Sequence, residues 1–403
     1  MAGVPPRRRA LLKCLLLLCV TLPGACAGCS TTTEMRSSQE TPAEWEVVKL
    51  SDPSSGGKSA AYISLDFVTQ QHGWVACTDT SDAAMLWGPA AGPGGWVLRT
   101  VDGGISWREE KVASLVVDFV DSDTGWLVGE GRAEVWRTVN GGTWWDATAG
   151  RFSSITDIAA VSAEEAWLIA GHDLIHTTDA GASWTVVPHP LASNPTFLPL
   201  GLLFLDQSTG WVIGELTGGM GTLPIRVLFT VDGGKTFGVA SAPSVPTGNS
   251  LPFGLDFTSR AEGWAAVGGP SLLHTLDGGK TWAAVTPAVD EGTFDGALYD
   301  CSFLDKNNGW VVGSTGTFGV GGETLAITTS DGGRTWQRSL TGMEDIVHGR
   351  LCQVVFVDAG HGWAVGDGGQ WPSDFPVPQK GSQVYFLLRY LGERGSTTTA
   401  PGP

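Results

Sequence analysis

The chain has 403 residues, of which 42% are hydrophobic and 16% charged, with 57 Gly, 18 Trp and only four Tyr. Its formal charge of −17 excludes nucleic acid as a partner, because binding a phosphate backbone needs a basic footprint. The same balance speaks against docking on anionic lipid through the globular surface, so membrane contact is expected only through an anchor.

The N-terminus reads as an export signal. Arg7-Arg8-Arg9 precedes an apolar run from Leu11 to Leu22 and then small residues, in the order of a signal peptide. The run is short for a transmembrane helix. Arg8-Arg9-Ala10-Leu11-Leu12-Lys13 fits a twin-arginine signal or an ordinary basic leader. Ala25-Cys26-Ala27-Gly28-Cys29-Ser30 resembles a bacterial lipobox with Cys29 as the acylated residue, and cleavage before Cys26 is the competing choice. Residues 1–28 are therefore expected to be removed, 29–42 to be a Ser/Thr-rich tether and 393–403 a disordered tail. Without its four leader cations the mature chain would carry about −21. The expected location is extracytoplasmic, periplasmic or at the cell surface.

Two marks recur between those ends. The first is a turn of the form Thr-x-Asp-x-Gly-x-x-Trp, beginning at Thr100, Thr138, Thr177, Thr230, Thr275 and Thr329. Its acidic position is Asp102, Asn140, Asp179, Asp232, Asp277 and Asp331 in turn, and Phe237 replaces the Trp of the fourth copy. Asp-Gly supplies a tight turn, the carboxyl accepts turn N–H groups, and the Trp anchors the outgoing strand. The second mark is a Phe seven residues before a Gly-Trp: Phe67…Trp74, Phe119…Trp126, Phe204…Trp211, Phe257…Trp264, Phe303…Trp310 and Phe356…Trp363. The third unit departs from it with Ala160…Ala166-Trp167. Seven units at a period of roughly 41 to 53 residues fall in the range of radial β-repeats.

Each unit reads as four short strands, A to D, with the Asp turn between C and D and no helical periodicity. The expectation is an all-β, seven-bladed β-propeller over residues 43–392. The seventh unit has strands A, B and C (Gln383 to Tyr390) but no Asp turn and no D strand. Glu44-Trp45-Glu46-Val47-Val48-Lys49-Leu50 looks like a D strand with nothing before it, so it should complete blade seven and remove an exposed edge.

The pattern Phe-x-Asp…Gly-Trp-x-Val-Gly followed by Thr-x-Asp-Gly-Gly-x-Thr-Trp resembles the repeat of the photosystem II stability/assembly factors, and more widely the bacterial-neuraminidase-type Asp-box repeat. The resemblance implies a non-enzymatic, seven-bladed factor that holds a membrane-protein partner on the extracytoplasmic side; a monomer without cofactor, anchored through Cys29, is expected. Sialidases and xyloglucanases share the repeat, so a carbohydrate-active or carbohydrate-binding propeller is the alternative.

The Asp turns read as scaffold. Long B–C and D–A loops fall on the opposite face and offer Trp87, Phe197, Phe253, Phe294, Phe318, Trp371 and Phe375 beside Asp290, Glu291, Asp295, Glu344, Asp345 and Asp374. Of these, Trp87, Trp371, Phe375, Phe318 and Phe294 are the partner-binding candidates. The residue before each turn Thr is Arg99, Arg137, His176, Phe229, His274 and Thr328, either a basic patch including Arg99 and Arg137 or a polar position bonded between blades. A sialidase would need an arginine trio and a Tyr paired with an acid; Tyr299, Tyr385 and Tyr390 fall in or beside strands. His172 and His176 have no third ligand to mark a metal site, and no catalytic, cofactor or metal residues are assigned. After loss of the leader, Cys301 and Cys352 could pair, or with Cys77 serve as small buried hydrophobes.

Overall fold

In the computed structural model the described residues are 45–51, 60–79, 95–112, 114–216, 224–243, 254–289, 292–293, 296–315, 323–340, 349–368 and 384–392. They form seven four-stranded antiparallel sheets. Blade one is Ala60–Phe67, Gly73–Asp79, Trp96–Thr100 and Arg108–Glu110, in that order from the inside out. Blades two to six repeat the plan, and their A strands pack on the A strands of their neighbours around the central axis. Strand D begins one residue beyond the turn Trp rather than on it, as at Arg108 and Asp146. The indole therefore lies under the turn instead of joining the ladder.

Blade seven closes as the sequence predicts. Its A, B and C strands are Gly349–Asp358, His361–Gly368 and Val384–Tyr390, and the N-terminal strand Trp45–Ser51 pairs with the last of them. Trp45 stands opposite Tyr390, and Glu46 opposite Arg389, with which it forms an ion pair. Strand C gains a paired outer neighbour instead of presenting a free row of N–H and C=O groups.

The blades are joined by repeated layers of stacked rings. The Trp of one blade's B strand stacks on the Phe of the next blade's A strand: Trp74 on Phe119 at 3.4 Å, Trp211 on Phe257 at 3.5 Å, Trp310 on Phe356 at 3.8 Å. Trp363 on Phe67, at 3.6 Å, carries the series across the closure. Trp167 on Phe204 and Trp264 on Phe303 complete it. These rings are at most 5% exposed, and burial of their large apolar area is what holds the wheel together.

This packing explains the odd unit. In six blades the Phe ring lies over the Gly before the Trp, so closely that a Cβ there would collide with it, as Gly125 shows against Phe119 and Gly73 against Phe67. Blade three has no Phe, so its position is free to be Ala166. Trp126, left without a Phe at Ala160, instead has the Arg137 guanidinium over its ring at 5.7 Å.

The A strands carry a second tie that the repeat analysis missed. Side chains on one A strand accept hydrogen bonds from backbone N–H groups on the next: Asp66 from Phe119, Asp118 from Ala160, Asp157 from Leu202, Asp256 from Phe303 and Asp300 from Val354. Ser64, Ser302 and Gln353 do the same for Val117, Phe356 and Leu65. Inner-strand donors that would otherwise lie buried are thus satisfied across the blade seam.

Two local expectations change. Phe197 is fully buried and opens the A strand Phe197–Phe204, packed over Gly214, so it is no loop aromatic. The segment before blade six contains a small hairpin, Ala288–Val289 with Gly292–Thr293. Of the cysteines, Cys77 and Cys301 are buried and Cys352 half-buried, and Cys301 and Cys352 are not bonded to each other.

Candidate partner-binding surfaces

The face holding the Asp turns is built from one self-contained motif. In blade one the Thr100 hydroxyl donates to Asp102 Oδ1 at 2.8 Å and accepts from the Gly104 N–H at 2.9 Å. Asp102 Oδ1 also accepts from the Ser106 N–H, and Oδ2 from the Ser106 hydroxyl. Trp107 closes the turn with its indole N–H on Gly104 O at 3.0 Å. Gly103 and Gly104 have φ of 75° and 88°, left-handed values that a side chain would resist.

The carboxylates at 179, 232, 277 and 331 each meet the same kind of hydroxyl four residues on. These contacts favour the charged form and lower the carboxyl pKa values. The Thr236 hydroxyl and N–H hold Asp232 at about 2, and the Thr335 N–H and hydroxyl hold Asp331 at about 2. Asp102 and Asp179 are lowered by the Ser106 and Ser183 hydroxyls first. Blade two differs consistently at both ends: Asn140 has one acceptor oxygen, and the hydroxyl residue four on is replaced by Trp144, whose N–H alone meets Asn140 Oδ1 at 3.0 Å.

The row before the turn Thr is an inter-blade layer. Arg99, Arg137, His176, Phe229, His274 and Thr328 each stand opposite the B-strand Trp of their own blade, and Arg389 is the seventh member. His176 stacks on Trp167 at 3.9 Å and His274 on Trp264 at 3.8 Å, each also bonded to a carboxylate, Glu165 and Glu262. Burial lowers the pKa of the His274 imidazole, against the pull of Glu262. Arg137 donates to Ala163 O at 2.6 Å in the next blade, and Arg389 to Gly103 O. Where the row holds Arg or Phe, the Trp N–H reaches a backbone carbonyl of the next blade: Gly141, Ser162, Gly278 and Gly103 for Trp74, Trp126, Trp211 and Trp363. Arg99 and Arg137 are thus half-buried parts of the seam beside the Asp turns.

The opposite face roots the long loops. The strands framing residues 80–94, 217–223, 316–322 and 369–383 end there. Trp87, Phe253, Phe294, Phe318, Trp371 and Phe375, and the six loop acids named above, lie outside the described residues. Arg99 and Arg137 stand at the Asp-turn end of their blades, opposite the strand ends that frame those loops. The His172 Nδ1–H donates to Phe197 O at 2.6 Å, and no group of three metal-ligating side chains occurs among the described residues.

A family model described as photosynthesis system II assembly factor YCF48 matches residues 109–196. A photosystem II assembly protein Ycf48 from a Synechococcus species is 26% identical over 47% of this chain and 56% of its own length. The photosystem II assembly lipoprotein Ycf48 of Synechocystis is 32% identical over 26% of this chain and 27% of its own. The chain is similar to these assembly factors over part of its length. It spans about half the length of the curated relatives it matches first. A solved structure titled YCF48 bound to D1 peptide superposes with a TM-score of 0.58 at 19% identity, covering 89% of this chain and 99% of that one. YCF48 from Cyanidioschyzon merolae gives 0.57 at 18% identity, over 86% and 98%. At such identities the superpositions establish the shared propeller fold.

Proposed function

We propose that this chain is a non-enzymatic, extracytoplasmic binding factor that holds a protein partner at the membrane, in the manner of the photosystem II assembly proteins. The observation that carries the reading is the family match over 109–196 together with relatives named as assembly proteins. Related propellers named for photosystem II assembly, one of them solved with a D1 peptide, make a segment of a membrane protein the partner class to test first. The Asp turns support a scaffold role, because their polar groups are spent on the turn itself. The loop face is the proposed docking side, with Trp87, Trp371, Phe375, Phe318 and Phe294 as candidate anchors, since variable loops on a rigid wheel are where binding residues concentrate. Cys29 is the proposed lipid site, consistent with relatives named as lipoproteins.

The full chain, used as bait on detergent-solubilised membranes of its source organism and in parallel on a glycan array, tests the class of ligand. Stoichiometric retention of a membrane protein with no glycan signal is the expected result. Saturable glycan binding with no retained protein would overturn the proposal in favour of a carbohydrate-binding propeller.

A further inference from the structure

The Asp turns carry a row of exposed apolar side chains that the turn does not need. The position after the turn Thr is Val101, Val139, Val231 and Leu276 in blades one, two, four and five, exposed by 52%, 54%, 70% and 69%. Leu391 follows Tyr390 at the equivalent end of blade seven and is 46% exposed. Blades three and six have Thr178 and Ser330 there and make the same turn, with the Thr177 and Thr329 hydroxyls on Asp179 and Asp331 at 2.8 and 2.9 Å. The motif therefore tolerates polar residues at this position, and five exposed aliphatic ones call for another cause.

Their arrangement says what kind. All five stand at one register position, immediately beyond strand C, so they lie at one height around the wheel. Blades seven, one and two are consecutive, and there Ile105 and Trp144 (74% and 67% exposed) join Leu391, Val101 and Val139. Trp144 occupies the place of the usual hydroxyl, its ring in solvent and its N–H on Asp146 Oδ1 at 3.0 Å. An exposed indole with one polar tip suits the boundary between water and acyl chains. An extended peptide would touch one or two blades, whereas a level circle of apolar tips matches a plane.

The chain's own path leads to the same side. Trp45 pairs with Tyr390, so the N-terminal strand enters the wheel at the Asp-turn face of blade seven. Roughly 15 residues separate Cys29 from Trp45, a span of at most about 50 Å. We propose that the Asp-turn face lies against the lipid bilayer, with the apolar tips of blades seven, one and two seated in the headgroup region and the loop face directed away from the membrane. This rests on the lipid-anchored reading of Cys29. It adds a lipid-facing surface to a chain whose composition alone leaves membrane contact to the anchor.

The test uses the full, acylated chain reconstituted in phosphatidylcholine vesicles, with an environment-sensitive fluorophore on Val139→Cys, Leu391→Cys or Asp173→Cys. Asp173 is exposed at the B–C turn of blade three, on the opposite face. The labelled unsubstituted chain corrects for Cys352. Lipid-borne quencher is expected to act severalfold more strongly at 139 and 391 than at 173. Equal quenching at all three sites, or stronger quenching at 173, on vesicle-bound protein overturns the proposed face and leaves the anchor standing. A label at 139 shielded from aqueous iodide yet untouched by the lipid quencher would place a second copy of the chain there and also overturn it. If the acylated chain and its Cys29→Ser form both fail to float with vesicles, the anchored reading falls and the proposal with it.

Discussion

At the scale of single residues, the turn carboxylates tie acidity to stability. Asp232 and Asp331 are held at about 2, below the ordinary carboxylate value of 3.8, because hydrogen bonds from Thr236 and Thr335 favour the charged form. A folded-state value below the unfolded one contributes stability that is complete above the unfolded value and is lost as pH falls through the folded one. The urea midpoint is therefore expected to stay level above about pH 5 and to fall between about pH 4 and 2. Asp232→Asn keeps the oxygen that accepts from the Thr236 N–H, as Asn140 does toward Trp144, and should reduce that acid dependence. An unchanged slope in the variant would remove Asp232 from the account. The sequence shows these residues plainly, since Thr, Asp and Gly at fixed offsets spell the turn. It also held the correlation of Asp with a hydroxyl and of Asn140 with Trp144, which a single-position reading of the repeat passes over.

At the scale of elements, the joint between blades is a ring stack with a steric corollary. Phe119 lies over Gly125, so Gly125→Ala should cost about 1–3 kcal/mol by overpacking. In a Phe119→Ala background the same change should cost much less, because Ala160 and Ala166 already coexist in blade three. Thermal or urea denaturation of the four proteins of the cycle measures the coupling, and additive effects would contradict the stack. Here the sequence revealed the two halves of the pattern but not their meeting, since Phe and Gly-Trp lie seven residues apart on one blade while the stacking Trp belongs to the previous one. The row of Arg99, Arg137 and the histidines was visible, but its seventh member, Arg389, was hidden because blade seven has no Asp turn. The buried Phe197 was misplaced because Pro199 interrupts its strand, and a Pro inside a run reads as a break.

At the scale of the whole molecule, the ring closes through a strand borrowed from the other end of the chain. Removing residues 1–51 should lower the melting temperature by exposing strand C of blade seven and stranding Arg389 without Glu46. A truncated protein that melts like the full chain would contradict that closure. Blade number and closure were legible because seven marks and one missing strand are countable facts. The two faces were less so: the sequence suggests a uniform scaffold face, and only the fold shows that its turns carry a level row of exposed Val, Leu and Trp side chains.

The central claim is that the loops bind while the Asp turns support, and paired substitutions test it most directly. Trp371→Ala and Phe375→Ala should each weaken capture of the membrane-protein partner by roughly 1–3 kcal/mol with an unchanged melting temperature. Asp277 accepts from the Thr281 N–H and from the Thr275 and Thr281 hydroxyls, so Asp277→Ala should lower stability by on the order of 1 kcal/mol and leave affinity alone. Measuring partner affinity and melting on the same preparations decides between them. Turn variants that lose binding at unchanged stability, beside loop variants that bind normally, would contradict the account.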